Sequence, residues 1–217
     1  MLTKYGYETI GVIAVICFVI IVSAMLINST YIRYGMISLS IVMMVFTLNF
    51  FRDPERITPQ IKDILISPAD GKVMLIKKVI CDKYVNGEAW QISIFMSPLN
   101  VHVNRIPVSG TVEYLNYIKG KFLVAYDDKA DKDNERMEIG INSPEFGKIL
   151  FTQVSGFVAR RIVTDLKIGQ KVIVGERFGM IKFGSRVDII VPLKWKPVVK
   201  EGDKTIAGES IIYEINK

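Results

Sequence analysis

The sequence predicts a β-rich α+β protein: a barrel- or sandwich-like domain preceded by an N-terminal hydrophobic helical hairpin. Three observations carry this expectation. Two long uncharged runs open the chain. Beyond residue 52, apolar residues recur in short stretches, separated by Gly-containing turns, as strands require. Helical periodicity is nearly absent past the opening runs, apart from a short helix expected around Ala159 to Asp165.

The hairpin comes first. From Thr9 to Ile32 no residue is charged, and the core of that stretch reads IGVIAVICFVIIVSAMLI. A second uncharged run, YGMISLSIVMMVFTLNFF, lies between Arg33 and Arg52. Each is close to the roughly 17–25 residues that a bilayer crossing needs. Asn49 and two serines in the second run leave a tilted or re-entrant arrangement open. A secretory signal peptide is the rival reading of the first run, with Lys4 as its basic start, but another apolar run follows at once. Two spans put both chain ends on one side. The connecting loop offers only Arg33, whereas the stretch after Phe51 begins RDPERITPQIKD, so the positive-inside rule places the large domain on the cytoplasmic side of the cell membrane. The expected organisation is a membrane-anchoring hairpin over 1–51 and a second domain over 52–217.

Composition narrows the partners. Half of the residues are hydrophobic, and the net charge is +6. A basic domain tethered beside a bilayer favours anionic lipid headgroups. No basic run interleaved with aromatic residues stands out, so nucleic acid is not expected. Cys17 and Cys81 form neither a disulfide framework nor a metal-ligand pattern, and no metal is expected.

The second domain opens on a polar connector, 52–63, with Pro54 and Pro59. ILISPADGKVMLIKKVI reads as two strands around Asp70-Gly71, a strong hairpin signal. WQISIFM is the next strand. TVEYLNYI and RMEIGI follow, flanking the charged loop DDKADKDNER, which lacks the Gly and Glu positions of a calcium loop and reads as solvated. KILFTQVSGFVARRIV, KVIVGERFGMIKF and RVDIIVP complete the strand-rich body.

Few residues offer chemistry. The chain has a single histidine, His102, within MSPLNVHVNRIPVSG, a stretch broken by two prolines and suited to presenting groups to a site. Histidine is the side chain best matched to proton transfer near neutrality. Asp70 is explained by a tight turn as readily as by catalysis. Ser185, in the Gly184-Ser185 pair, is likewise explained by a turn, and no GxSxG elbow surrounds it.

Taken together, the segments FFRDPER (50–56), SPADGKV (67–73), NVHVNRIPVSG (100–110), KFLVAYDDKADKDNER (121–136), QVSGFVARRIV (153–163) and GERFGMIKFGSRVDIIVP (175–192) resemble the short form of the phosphatidylserine decarboxylase family. They occur in the family's order, and FGSRVD is the most telling member. The resemblance implies that Ser185 is consumed to make a covalent pyruvoyl group. Its hydroxyl would attack the Gly184 carbonyl, the resulting ester would eliminate, and hydrolysis would leave fragments 1–184 and 185–217 as a two-chain heterodimer. It further implies that the headgroup amine of phosphatidylserine forms a Schiff base with that group, loses carbon dioxide and leaves phosphatidylethanolamine. Archaetidylserine is the alternative substrate, with the same headgroup chemistry.

Asp70 and His102 match residues that the family uses with the serine for self-cleavage. The long bacterial form carries two histidines three apart, whereas this chain has His102 and, in the second place, Arg105. One histidine must therefore serve both reactions, or leave one to water or another group. Arg52, Arg56 and Arg105 are candidates for the substrate phosphate, because guanidinium matches phosphate oxygens in a bidentate way.

Two other classes compete. VSGFVARRIVTDLKIGQKVIVGERFGMI is similar to lipoyl or biotinyl hairpins, which would make the chain a non-catalytic membrane-tethered module, although Lys167 is only loosely placed as the hairpin-tip acceptor a carrier needs. A membrane hydrolase using Ser185 as an ordinary nucleophile would keep the chain intact. A homo-oligomer is compatible with a half-embedded β domain.

Overall fold

The computed structural model of the chain describes residues 1–120, 134–156, 161–182 and 185–215. It divides into two compact units, Met1–Glu55 and Arg56–Lys217.

The first unit is a helical hairpin. A short 3-10 turn, Lys4–Gly6, leads into α1 (Tyr7–Met25), and α2 spans Thr30–Phe50. The segments Lys4–Met25 and Thr30–Phe50, 22 and 21 residues, are long and apolar enough to cross a membrane. Their large side chains point outward, with Val15, Phe18, Val42 and Val45 all exposed. That is the reverse of a core helix and suits a lipid-facing surface. Small residues lie between the helices: Ala24 and Ser40 are buried, and the Cys17 thiol donates to the Ser40 carbonyl at 3.4 Å. The termini of the hairpin are tied by Thr3 N–H to the Phe51 carbonyl (2.9 Å) and Asp53 N–H to the Met1 carbonyl (2.8 Å).

The second unit holds fourteen strands among its described residues: β1 (Ile64–Ile66), β2 (Gly71–Cys81), β3 (Gly87–Met96), β4 (Val103–Arg105), β5 (Gly110–Ile118), β6 (Arg136–Ser143), β7 (Gly147–Ser155), β8 (Arg161–Thr164), β9 (Lys171–Val172), β10 (Arg177–Lys182), β11 (Ser185–Pro192), β12 (Trp195–Pro197), β13 (Lys204–Thr205) and β14 (Ile211–Ile215). Eight of them form one sheet in the order β13-β2-β3-β11-β7-β6-β5-β9. Two three-stranded sheets, β4-β10-β8 and β1-β14-β12, complete the β-rich α+β fold.

The core follows from the period of two. On β11, Val187, Ile189 and Val191 point inward, in register with Ile94, Ile92 and Trp90 on β3 and with Gln153 and Phe151 on β7. Ile139 and Ile141 on β6 extend that inner face, and Leu65, Phe178, Trp195 and Tyr213 close over it from the smaller sheets. Each such buried side chain contributes roughly 1.5–3 kcal/mol.

Two sequence expectations are corrected. The Asp70-Gly71 pair is not a hairpin tip: β1 pairs with β14, while β2 pairs with β3 and β13. Gly71 is instead the first residue of β2, and a Cβ there would overlap the Phe95 carbonyl. The glycine answers a close strand approach rather than a turn. The short helix expected around Ala159 to Asp165 is also overturned where it is described. Arg161–Thr164 is β8, paired with β10, because the β-branched Ile162 and Val163 lie opposite Ile181 and Met180. Residues 159 and 160 and most of the charged loop, 121–133, lie outside the described residues.

Candidate active site

The polar centre is built by breaks in the inward alternation. On β7 the inward positions run Ile149, Phe151, Gln153 and Ser155; the first two are apolar and the last two polar. On β11 the same face begins with Ser185, which stands opposite Met96 on β3 and Ser155 on β7. Ser185 is fully buried, and its hydroxyl donates to the Met96 sulfur at 3.3 Å. A thioether is a weak acceptor, so this hydroxyl is parked rather than locked.

A second donor converges on that sulfur. The Asn104 side-chain Nδ2, on β4, lies 3.8 Å from Met96 Sδ and 3.3 Å from the Pro68 carbonyl. Asn104 Oδ1 in turn accepts from Gln153 Nε2 at 2.8 Å, and both amides are fully buried. Ser155 is fixed from the other side, with its N–H and hydroxyl on the Glu135 carbonyl at 2.9 and 3.0 Å and its carbonyl accepting from Asn134 Nδ2 at 2.8 Å.

His102 is fully buried just before β4. Its Nδ1 lies 2.9 Å from the Asn100 carbonyl, which can only accept, so Nδ1 carries the proton and Nε2 is the basic nitrogen of the neutral ring. Asn100 is itself held by the Ser97 N–H and hydroxyl at 2.9 and 2.8 Å. The His102 carbonyl accepts from Ile181 N–H at 3.4 Å, which sets this segment beside the end of β10, four residues ahead of Ser185.

Asp70 approaches from the Ser67–Asp70 segment, which is stitched to β4 by Arg105 N–H to the Pro68 carbonyl at 3.0 Å. Its carboxylate accepts from Arg56 Nη2 at 2.9 Å and from Ala207 N–H at 2.8 Å. Arg56 also pairs with Glu209 at 3.8 Å. Arg105 is buried and donates through Nη1 to the Gly175 carbonyl at 2.9 Å. Arg56 and Arg105 meet at Gly208, where φ is +82° and a Cβ would press on the Arg105 side chain. Arg52 belongs to the helical unit and donates to the Asn49 carbonyl at 2.6 Å. Gly184 lies outside the described residues.

The structure thus brings Ser185, Met96, Asn104 and Gln153 into one buried network, and Asp70, Arg56 and Arg105 into a second cluster joined to it through Pro68. Sequence reasoning passed over Met96, Asn104 and Gln153. The signal that could have found them is the polar interruption of inward positions at Gln153, Ser155 and Ser185. Lys167, the acceptor of the carrier reading, lies between β8 and β9, which pair with β10 and β5, so no hairpin displays it.

The family model described as phosphatidylserine decarboxylase matches residues 43–213. A protein of Chlorobium phaeovibrioides named phosphatidylserine decarboxylase proenzyme is 51% identical over 216 residues, covering 99% of this chain and 97% of its own length. Proteins of the same name from Chlorobium chlorochromatii and Chlorobaculum tepidum are 48% and 50% identical, over 98% and 97% of this chain and 99% and 96% of theirs.

Proposed function

The chain belongs to the phosphatidylserine decarboxylase family, and from that premise we propose that it is a proenzyme that cuts itself between Gly184 and Ser185 and then decarboxylates phosphatidylserine to phosphatidylethanolamine. The observation that carries this reading is the setting of Ser185, fully buried at the inner end of a central strand with its hydroxyl on a weak acceptor.

In this reading His102 Nε2 takes the hydroxyl proton and Ser185 Oγ attacks the Gly184 carbonyl carbon. The oxyanion needs donors, and we assign the Asn104 amide, held by Gln153, to that task. The peptide C–N bond breaks as the ester C–O bond remains, and the Ser185 nitrogen takes the proton. Removal of the Ser185 α-proton then breaks the Cβ–Oγ bond and releases Gly184 as a carboxylate. Water hydrolyses the resulting enamine, ammonia leaves, and residue 185 ends as a pyruvoyl group. Asp70 joins Ser185 and His102 in self-cleavage, acting from the cluster it forms with Arg56.

A pyruvoyl group at position 185 fits a buried strand end lined by Met96 and Ser155. It supplies an electron-accepting carbonyl for the substrate amine, the service that pyridoxal phosphate performs elsewhere. The surrounding residues do the rest. Burial favours dispersal of the carboxylate charge, and His102 returns a proton to the headgroup α-carbon. Arg105 and Arg56 receive the phosphate, which must compete with Asp70 and Glu209 for Arg56.

After the cut, 185–217 stays bound. Its β11 lies between β3 and β7, β13 pairs with β2, and β14 pairs with β1. The hairpin anchors domain 52–217 to the cytoplasmic face of the membrane, a reading supported by the helix lengths and by the charges that follow Phe51.

The test is release of labelled carbon dioxide from carboxyl-labelled phosphatidylserine in detergent micelles. Wild type releases label and Ser185→Ala falls to background; label released equally by both would sink the reading. Archaetidylserine, run in parallel, decides whether the lipid backbone is read.

A further inference from the structure

The strand-rich unit carries a groove of about 630 Å3 between the connector ahead of β1 and the turn after β9. Its floor is apolar, with Ile64, Ile66, Val108 and Phe146. Its rim holds Ile61 and Ile173, which are 59% and 62% exposed. Lys62 and Lys171 stand on the same rim, against one acid, Glu145.

The rim is braced. Ile173 N–H donates to Glu176 Oε2 at 2.9 Å, Val174 N–H donates to the Ser109 hydroxyl at 2.9 Å, and Gly175 closes the turn at φ +85°. A fixed turn therefore presents a large β-branched side chain to solvent, where it gains nothing. Apolar surface of this kind, rimmed by charge, marks an interaction site. The apolar phase this protein meets is set by its own helices, two segments long and apolar enough to cross a bilayer.

We propose that the groove is a lipid-docking surface: Ile61 and Ile173 enter the acyl region of the leaflet, Lys62 and Lys171 meet the phosphates of anionic lipids, and the groove floor accepts an acyl chain. Cation-rich rims favour this occupant over a second copy of the chain. An isologous pairing would set Lys62 and Lys171 of both copies face to face, whereas an anionic leaflet neutralises them. The inference goes beyond the decarboxylase reading and rests on the membrane-spanning reading of the helices.

The test uses the full chain in nanodiscs of zwitterionic lipid, with and without anionic phosphatidylglycerol. An environment-sensitive fluorophore is placed at Ile61→Cys or Ile173→Cys, with exposed Lys196→Cys as control, after Cys17 and Cys81 are replaced by alanine. Nitroxide carried near the top of the lipid acyl chain should quench positions 61 and 173 at least about twofold more than 196. The double variant Lys62→Glu/Lys171→Glu should lose the part of that quenching that depends on anionic lipid. Quenching no greater than at 196, in discs that hold folded protein by circular dichroism, overturns the proposal. So does a blue shift that needs two copies per disc and is insensitive to the lipid nitroxide, because a second copy is then the occupant. None of these readouts depends on self-cleavage, so their failure leaves the decarboxylase reading standing.

Discussion

In the proposed mechanism His102 is the base, and its neighbours define what substitution should do. The Asn100 carbonyl fixes the tautomer, so His102→Asn keeps an Nδ1-like donor but removes the base. Self-cleavage should slow by about 10²–10⁴-fold, measured as the fraction of uncut chain over time on a denaturing gel. Asn104→Leu should also slow cleavage, by about 10²–10³-fold if its amide serves the oxyanion. Gln153→Leu is the comparison, because it removes the donor to Asn104 Oδ1 at a cost of about 1–3 kcal/mol while Asn104 Nδ2 keeps the Pro68 carbonyl; its cleavage should slow less than that of Asn104→Leu. If both variants slow equally, the Asn104 role is only structural. Ser185, His102 and the Gly184-Ser185 pair are candidates that residue type and the ordered resemblance supply. Asn104 and Gln153 were not, because amides carry no signature until the fold turns them inward on adjoining sheets. Asp70 was legible as a residue of interest, but its partners Arg56 and Ala207 lie 14 and 137 positions away, beyond any local reading.

At the scale of elements, the strands were readable from alternation and their partners were not. Asp70-Gly71 looks like a hairpin because the local signal is strong, yet the C-terminal strand β14 takes the edge of β1. The physical demand on Gly71 is the Phe95 carbonyl, so Gly71→Ala should cost on the order of 1–3 kcal/mol, read as a lower urea midpoint. Arg161–Thr164 misled in the same way, since four residues hold too little periodicity to outweigh their pairing with β10. Charge also ties elements together. Glu138 on β6 accepts from Lys83 (2.7 Å), from Tyr114 on β5 (2.9 Å) and from Asn116 (3.2 Å). Burial alone would raise its pKa, but these hydrogen bonds and the Lys83 charge hold it below the ordinary carboxylate value. A depressed folded pKa gives stability that is present above the unfolded value, about 4.3, and is lost as pH falls through the folded one. Glu138→Gln should therefore be less stable than wild type at pH about 7, with the gap closing below pH about 4. Urea midpoints at the two pH values check this, and a constant gap would count against it.

At the scale of the whole molecule, the two units place their apolar side chains in opposite senses. The hairpin turns its apolar side chains outward, whereas the strand-rich unit turns them into a core and leaves one braced apolar rim at the groove. Composition alone announced the first of these, because an uncharged run of that length suits a bilayer better than water. The second needed the sheet order, which places β11 at the centre of the eight-stranded sheet and so would make the proposed cut before Ser185 survivable. The most direct measurement is the intact mass of purified wild-type protein beside Ser185→Ala, under native and denaturing conditions. Wild type should give two fragments, 1–184 and 185–217, held together until denatured. The smaller should begin with an amine-less, borohydride-reducible group, and the variant should remain one chain. A wild-type protein that is folded, active on phosphatidylserine and still a single uncut chain would contradict self-cleavage at Ser185.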